Sequence, residues 1–442
     1  MRISLISAAL VAALVGYGST IALVLAAAQA LGATEAQTAS WVLAICLAKA
    51  AGSAGLSLRS RVPVVLAWST PGAALIAATT GITMAQAVGA FVVTGLLIAL
   101  TGVVRPLGRA VARIPDGIAA AMLSGVLLPF CLKGTGAATA LGWFALPMLA
   151  VFALVRLRNP ALAVLAALAA GIATAYGLGT AVLPDLSLPD LSLPDLSLPV
   201  PLLTFIAPHF RGDVLVGLAL PLYLVTMASQ NLPGFATIRA AGYEPPVRAG
   251  LITTGALSIV AGFFGGHTVS MAAITAAICL GDDVDPDRNQ RWKVGLAYAG
   301  FWVALGLLSP VILPLLKSLP PQVMSLLVAL ALLGPLMGAL TAAYAVPETR
   351  FAATITLAVT ASGVAIAGIG AAFWGLLAGL LVAALNHLAQ PARSAHPKIL
   401  RRNLTPPHFA NRSPRAFHPV SENSYPIATT HEYTMSRTAA LP

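Results

Sequence analysis

One apolar run follows another from Ile3 to Leu388, separated only by short polar or glycine- and proline-bearing breaks, and this succession fixes the fold class. About 20 apolar residues carry a helix across the hydrocarbon core of a bilayer. Hydrophobic residues make up 58% of the chain and charged ones 9%, where a soluble globular domain carries roughly 25% charge. The chain therefore reads as an all-α polytopic membrane protein with room for about fourteen transmembrane spans. They are expected at 5–31, 38–56, 63–80, 85–103, 116–132, 141–157, 160–182, 213–233, 247–264, 267–281, 293–315, 321–344, 350–369 and 371–389.

Basic residues give a second reading of that count, because Lys and Arg accumulate in short cytoplasmic loops. With the N-terminus inside, fourteen of the 25 Lys and Arg residues face the cytoplasm and only Lys133, Arg211 and Lys317 face the other side; Lys49 lies within a span and seven occupy the tail. Both termini are thus expected in the cytoplasm. The net charge of +11 reads as an orientation signal. No basic stripe with interleaved aromatics points to nucleic acid.

Four segments divide the chain: a first half, 1–183, with spans 1–7; a loop, 184–201; a second half, 202–390, with spans 8–14; and a tail, 391–442. The loop repeats Pro-Asp-Leu-Ser-Leu from Pro184, Pro189 and Pro194. A proline every fifth residue forbids a continuous helix, so an extended external loop is expected. The tail is rich in Pro, Asn, His, Ser and Arg and reads as disordered and cytoplasmic. The N-terminal apolar run exceeds the 7 to 15 residues of a secretory signal and reads as an uncleaved span. Cys46, Cys131 and Cys279 fall within spans without CxxC or metal-type spacing and read as buried thiols. No cofactor is implied.

Two spans are interrupted at matching places in the halves, at Trp68-Ser69-Thr70-Pro71-Gly72 and Gly265-Gly266-His267-Thr268-Val269-Ser270. In lipid an unpaired backbone group is costly, so a broken helix survives only where it faces protein, a cavity or a bound molecule. Ser69 or Thr70 can cap a restarting helix, Pro71 suits its first turn, and Gly72 permits close approach. At the second break Gly262, Gly265 and Gly266 end one span, and His267, Thr268 and Ser270 are expected to begin the next. The free N–H groups of such helix starts form anion sites. The plain alternative is a pair of Gly/Pro kinks.

A third polar cluster, Thr226, Ser229, Gln230 and Asn231, is echoed in the first half by Gly16-Tyr17-Gly18-Ser19-Thr20. Amides at membrane depth need partners or ligands, and Tyr17 offers an aromatic wall. His267 is the natural proton carrier by its neutral-range titration, with a structural role as its alternative. No Asp or Glu lies deep in a span; Asp116, near a cytoplasmic end, is the nearest carboxylate, and the substrate carrying the proton itself is the third option. Lys49 either attracts an anion or snorkels.

The strings GLSLRSRVPVVLAWS (55–69), STPGAAL (69–75), LVTMASQNLPGFA (224–236) and FGGHTVSMAAITAAIC (264–279) resemble the benzoate/proton symporter family over roughly residues 3–390. That family is similar in fold to nucleobase and sulfate permeases. The resemblance implies two inverted seven-span repeats, a core domain moving against a gate domain, and broken spans 3 and 10. It implies a substrate site at Ser69, Thr70, Pro71, Gly72, Gly266, His267, Thr268 and Ser270, with Tyr17, Gln230 and Asn231 nearby. Proton coupling would fall to His267 or Asp116. It further implies uptake of benzoate or a related small aromatic carboxylate with protons across a bacterial inner membrane, and a homodimer through the gate domain. The family pattern Gly-His-Gly-x-Asn is here Gly266-His267-Thr268-Val269-Ser270, so a changed lining is expected. A nucleobase or inorganic anion on the same fold is the alternative cargo. No HExxH, GxSxG or Walker motif is present, so the chain is not expected to be an enzyme.

Overall fold

The computed structural model describes residues 2–104, 106, 115–160, 162–179, 202–272, 274–282, 284–367 and 369–389. The loop expected at 184–201 and the tail expected at 391–442 lie outside the described residues. The first half contributes α1 (Ile3–Gly18), α2 (Ile21–Ala30), α3 (Glu35–Ser60), β1 (Leu66–Trp68), α4 (Thr70–Ala77), α5 (Met84–Val103), α6 (Asp116–Leu141), α7 (Ala145–Arg158) and α8 (Ala163–Gly177). The second contributes α9 (Gly212–Ala240), then α10 (Val247–Gly262), β2 (Val269–Met271), α11 (Ile274–Leu280), α12 (Lys293–Leu307), α13 (Ser309–Lys317), α14 (Pro321–Ala343), α15 (Arg350–Ala361) and α16 (Ala371–Ala389).

Among the described residues seven helical stretches are long and apolar enough to cross a membrane, and an eighth is added if α12 and α13, bent by 60°, count as one span. The chain is thus a helical, multi-span membrane protein. Several expected spans take other forms. Residues 116–158 are helical apart from the turn at Gly142, whose φ of 55° ends α6 before α7, and the expected spans at 63–80 and 267–281 are strand-then-helix units.

Local chemistry explains the boundaries. α3 starts at a capping box in which Thr34 and Gln37 exchange side-chain-to-backbone bonds of 3.0 and 3.2 Å. It stops at Arg61, whose φ of 57° is left-handed, two residues before Pro63. α9 widens into π turns at Leu215–Ala219 and Met227–Asn231. Each lies just before a proline, Pro221 or Pro233, which lacks an N–H and crowds the carbonyl four residues back; a wider turn relieves both problems.

α3 packs on α12, α5 on α10, and α6 on α14. Trp41, Trp68, Trp302, Tyr298 and Phe91 are among the largest fully buried side chains. They gather where the two strands meet, so the aromatic core surrounds the chain breaks.

Candidate functional site

β1 and β2 pair antiparallel, with Leu66 opposite Met271, Ala67 opposite Ser270 and Trp68 opposite Val269. A two-stranded ribbon at membrane depth must have its spare backbone groups satisfied by protein. Leu66 N–H donates to Ser53 Oγ, Val269 N–H to Ser258 Oγ and Met271 N–H to Asn231 Oδ1, each at 2.9 Å. The π turn that ends at Asn231 is what carries that amide to the strand edge.

The second break differs from the sequence expectation. Residues 267–272 are extended and the helix begins only at Ile274. Thr268 and Val269 are β-branched, and pairing with β1 gives their backbone the bonds that a helix start would have left open. Gly265 makes the preceding turn with φ of 88°, a conformation that suits glycine.

At the first break Ser69 caps α4, its Oγ accepting from Gly72 N–H at 3.1 Å, and Pro71 lies in the first turn. Ala73 N–H donates to the Ser69 carbonyl at 2.8 Å. Pro71 has no N–H, so Thr70 keeps the one uncommitted N–H of the α4 start, where free donors were expected along the whole first turn. Gly72 is required by space: a Cβ there would lie 2.6 Å from Leu222 Cδ1 and 2.8 Å from Ser69 Oγ.

Hydroxyls and one imidazole lock the two breaks together. Thr226 Oγ1 donates to Ser69 Oγ at 2.9 Å and lies 3.1 Å from Thr268 Oγ1. Trp41 Nε1–H donates to His267 Nδ1 at 3.0 Å, and His267 Nε2 lies 3.2 Å from the Ser69 carbonyl oxygen. An indole can only donate, so Nδ1 accepts, and Nε2 carries the hydrogen given to Ser69. His267 is wholly buried, with both nitrogens engaged.

Beside this frame lies a cavity of about 1210 Å³, larger than the roughly 300–1,000 Å³ of a single-ligand pocket. One wall is formed by Gly16 near the end of α1, Thr20 between α1 and α2, Trp68, Thr70, Pro71, Gln230 and Thr275. The other comes from α6, α7, α8 and α14, with Leu123, Phe152, Val164 and Leu330. Asp116, Arg156 and Asn159 also line the cavity.

Of the expected site residues, Thr70, Pro71, Gln230 and Asp116 reach the cavity wall. Ser69, Gly72, Asn231, Gly266, His267, Thr268 and Ser270 are buried in the frame behind it. Tyr17 is also buried, its ring 5.8 Å from that of Trp68 and 6.0 Å from that of Trp302. Trp68 and Ser229, singled out in the sequence only as members of the first break and the third polar cluster, also belong to the wall, and Thr275 and Tyr298 belong to it without having been singled out. Tyr298 and Trp302 stand one helical turn apart, a spacing that places both on one face of α12. Lys49 also lines the cavity.

The profile of the family described as benzoate membrane transport protein matches residues 1–385. The inner membrane protein YdcO of Escherichia coli (strain K12) is 40% identical over 376 residues, which cover 84% of this chain and 93% of that protein. The benzoate membrane transport protein of Acinetobacter baylyi (strain ATCC 33305 / BD413 / ADP1) is 32% identical over 375 residues, 85% and 93% of the two chains. Two solved structures share the fold. The overall structure of SLC26A9 matches with a TM-score of 0.57 and 15% identity, over 87% of this chain and 65% of that one. The murine solute carrier 26 family member A9 anion transporter in the inward-facing state matches with a TM-score of 0.53 and 13% identity, over 88% and 68%. The matched region takes in both strand-helix units and the cavity in front of them, and the chain belongs to the benzoate membrane transport protein family, a membrane transporter and not an enzyme.

Proposed function

We propose that this transporter takes up benzoate or a related small aromatic carboxylate together with a proton, by alternating access. The observation that carries the reading is the mixed lining of the cavity. Thr70, Gln230, Thr275 and Lys49 bring polar and positive groups to the lining, and Phe152, Leu123 and Leu330 bring apolar ones. An amphipathic anion fits such a wall: its carboxylate meets donors and its ring meets apolar side chains. The Gln230 side chain makes no hydrogen bond among the described residues, which leaves its amide to the substrate. The name of the Acinetobacter baylyi relative supports the same acid.

In this reading the fold carries fourteen spans in two inverted repeats, 1–183 and 202–390, with both termini cytoplasmic in a bacterial inner membrane. Tyr17, Ser69, Thr70, Pro71, Gly72, Gln230, Asn231, Gly266, His267, Thr268 and Ser270 make up the site. Thr70, Pro71 and Gln230 meet substrate, and the others hold them in place. His267, enclosed between Trp41 and Ser69, acts as a clamp, and Asp116 acts from the cavity wall. The α6–α8 and α14 wall moves against the frame, and two copies pair through it as a homodimer.

The second reading keeps the fold and changes the cargo to an inorganic anion or a nucleobase. The name of the murine structure, an anion transporter, favours the former. Competition against bound radiolabelled benzoate separates them. Displacement by substituted benzoates and not by sulfate, bicarbonate or uracil supports the aromatic acid. Displacement by the inorganic anions or uracil alone transfers the site to the second reading.

A further inference from the structure

Lys49 is a buried amine without a carboxylate partner among the described residues. It projects from the middle of α3, its side chain is 1% exposed, and none of the ion pairs among the described residues includes it. Its Nζ stands 2.9 Å from the centroid of the Trp302 ring and 4.2 Å from that of Trp68. Aromatic faces stabilise an ammonium, yet they leave its N–H donors without an acceptor, and an unpaired charge in an apolar interior is costly. The same residue lines the cavity. Close by, the Tyr17 hydroxyl is buried with no hydrogen-bond partner. The amine of Lys49 and the ring of Tyr17 thus both stand against Trp68.

We propose that Lys49 is the counter-ion of the transported carboxylate and the carrier of the coupled proton. The inference rests on the aromatic-acid reading above. In the empty transporter the amine takes one proton from the side to which the cavity is open. The resulting ammonium binds the carboxylate, and the pair is neutral as the wall moves. On the far side the anion leaves, the unpaired ammonium gives its proton to water, and the neutral amine returns. One proton and one anion cross per cycle, with no covalent bond made or broken. Anion binding and protonation favour each other, as linkage requires.

Among the described residues no other group around Lys49 offers this combination. Cys46 on α3, Tyr17 on α1, Tyr298 on α12 and His267 before β2 are the titratable groups of this cluster. Cys279 on α11 lies beside Tyr298. Arg248 and Lys293 are at the starts of α10 and α12, Arg59 is at the end of α3, and Lys317 on α13 is paired with Glu35 at 2.9 Å. Asp116 and Arg156 also line the cavity. None of the described carboxylates forms an ion pair with Lys49, which leaves the neutralising role to an anion entering the cavity.

The test is isothermal titration of benzoate into purified protein in two buffers of different ionisation enthalpy, over about pH 6.5 to 8.5, where benzoate stays ionised. Wild type should take up about one proton per benzoate, with affinity falling about tenfold per pH unit where the empty site is unprotonated. Lys49→Arg keeps a cation that does not deprotonate. It should bind benzoate with pH-independent affinity, take up no proton and lose gradient-driven accumulation. Lys49→Met should bind tenfold or more weakly and also take up none. Each variant is first required to elute as a monodisperse species, and the wild-type proton count stands even if Lys49→Met does not fold. Binding by wild type without proton uptake overturns the inference, as does undiminished uptake in Lys49→Arg, which would assign the proton to the substrate or to another side chain. If wild type binds no benzoate at all, the substrate reading itself fails and the inference falls with it.

Discussion

The indole N–H of Trp41 donates to Nδ1 of His267 across 3.0 Å, and that bond settles which imidazole nitrogen carries the hydrogen. The other nitrogen then holds the Ser69 carbonyl at 3.2 Å. A helix of the first half, the extended segment of the second and the start of α4 are thereby tied through one ring. Protonating Nδ1 would break the Trp41 bond, which favours a fixed neutral ring over one that cycles its proton.

Trp41→Phe removes the donor and leaves Nδ1 buried and unsatisfied. The expected cost is about 1–3 kcal/mol of stability, read as a lower thermal midpoint in detergent. The folded fraction should still accumulate benzoate when a proton gradient is imposed. Loss of coupling with unchanged stability would return the proton to His267.

Gly72→Ala forces a methyl against Leu222 and Ser69, and overpacking of this kind costs about 1–3 kcal/mol. Ser69→Ala removes a cap worth roughly 0.5–2 kcal/mol and also takes the partner of Thr226. Both should weaken benzoate binding because both move the start of α4, with the shift in thermal midpoint as the structural readout.

Gln230 and Asn231 are adjacent, and the structure divides their roles. Asn231→Ala should lower stability by about 1–3 kcal/mol, because Met271 N–H loses its buried acceptor. Gln230→Ala should leave the midpoint nearly unchanged and weaken benzoate about three- to tenfold, the worth of one hydrogen bond. Equal effects on stability from the two would contradict this division between frame and wall.

Thr268 and Ser270, the two departures from the family pattern, are fully buried and sit behind the wall. Thr268→Gly and Ser270→Asn should therefore leave the ranking of competing acids unchanged and alter stability alone. Competition assays with a series of substituted benzoates check this.

The membrane class and the positions of both breaks were legible in the sequence because they rest on long-range hydropathy and on proline and glycine, whose effects are local. The extended form of 267–272 was not, since it depends on pairing with Leu66–Trp68, about 200 residues away. Burial divided the expected site residues in the same way. Ser69 and Thr70 are neighbours in the chain, yet one faces the frame and the other the cavity, because the helix start turns between them. Lys49 was visible as the one basic residue inside a span; its lack of a carboxylate partner among the described residues became visible only once its surroundings were assembled.

The most direct test of proton-coupled aromatic acid transport is the uptake of radiolabelled benzoate into proteoliposomes, with and without an inward proton gradient. The account predicts accumulation above equilibrium that requires the gradient, collapses when the gradient is discharged, and is blocked by excess unlabelled benzoate and not by sulfate or uracil. Equal uptake with and without the gradient, or none beyond protein-free liposomes, would contradict it.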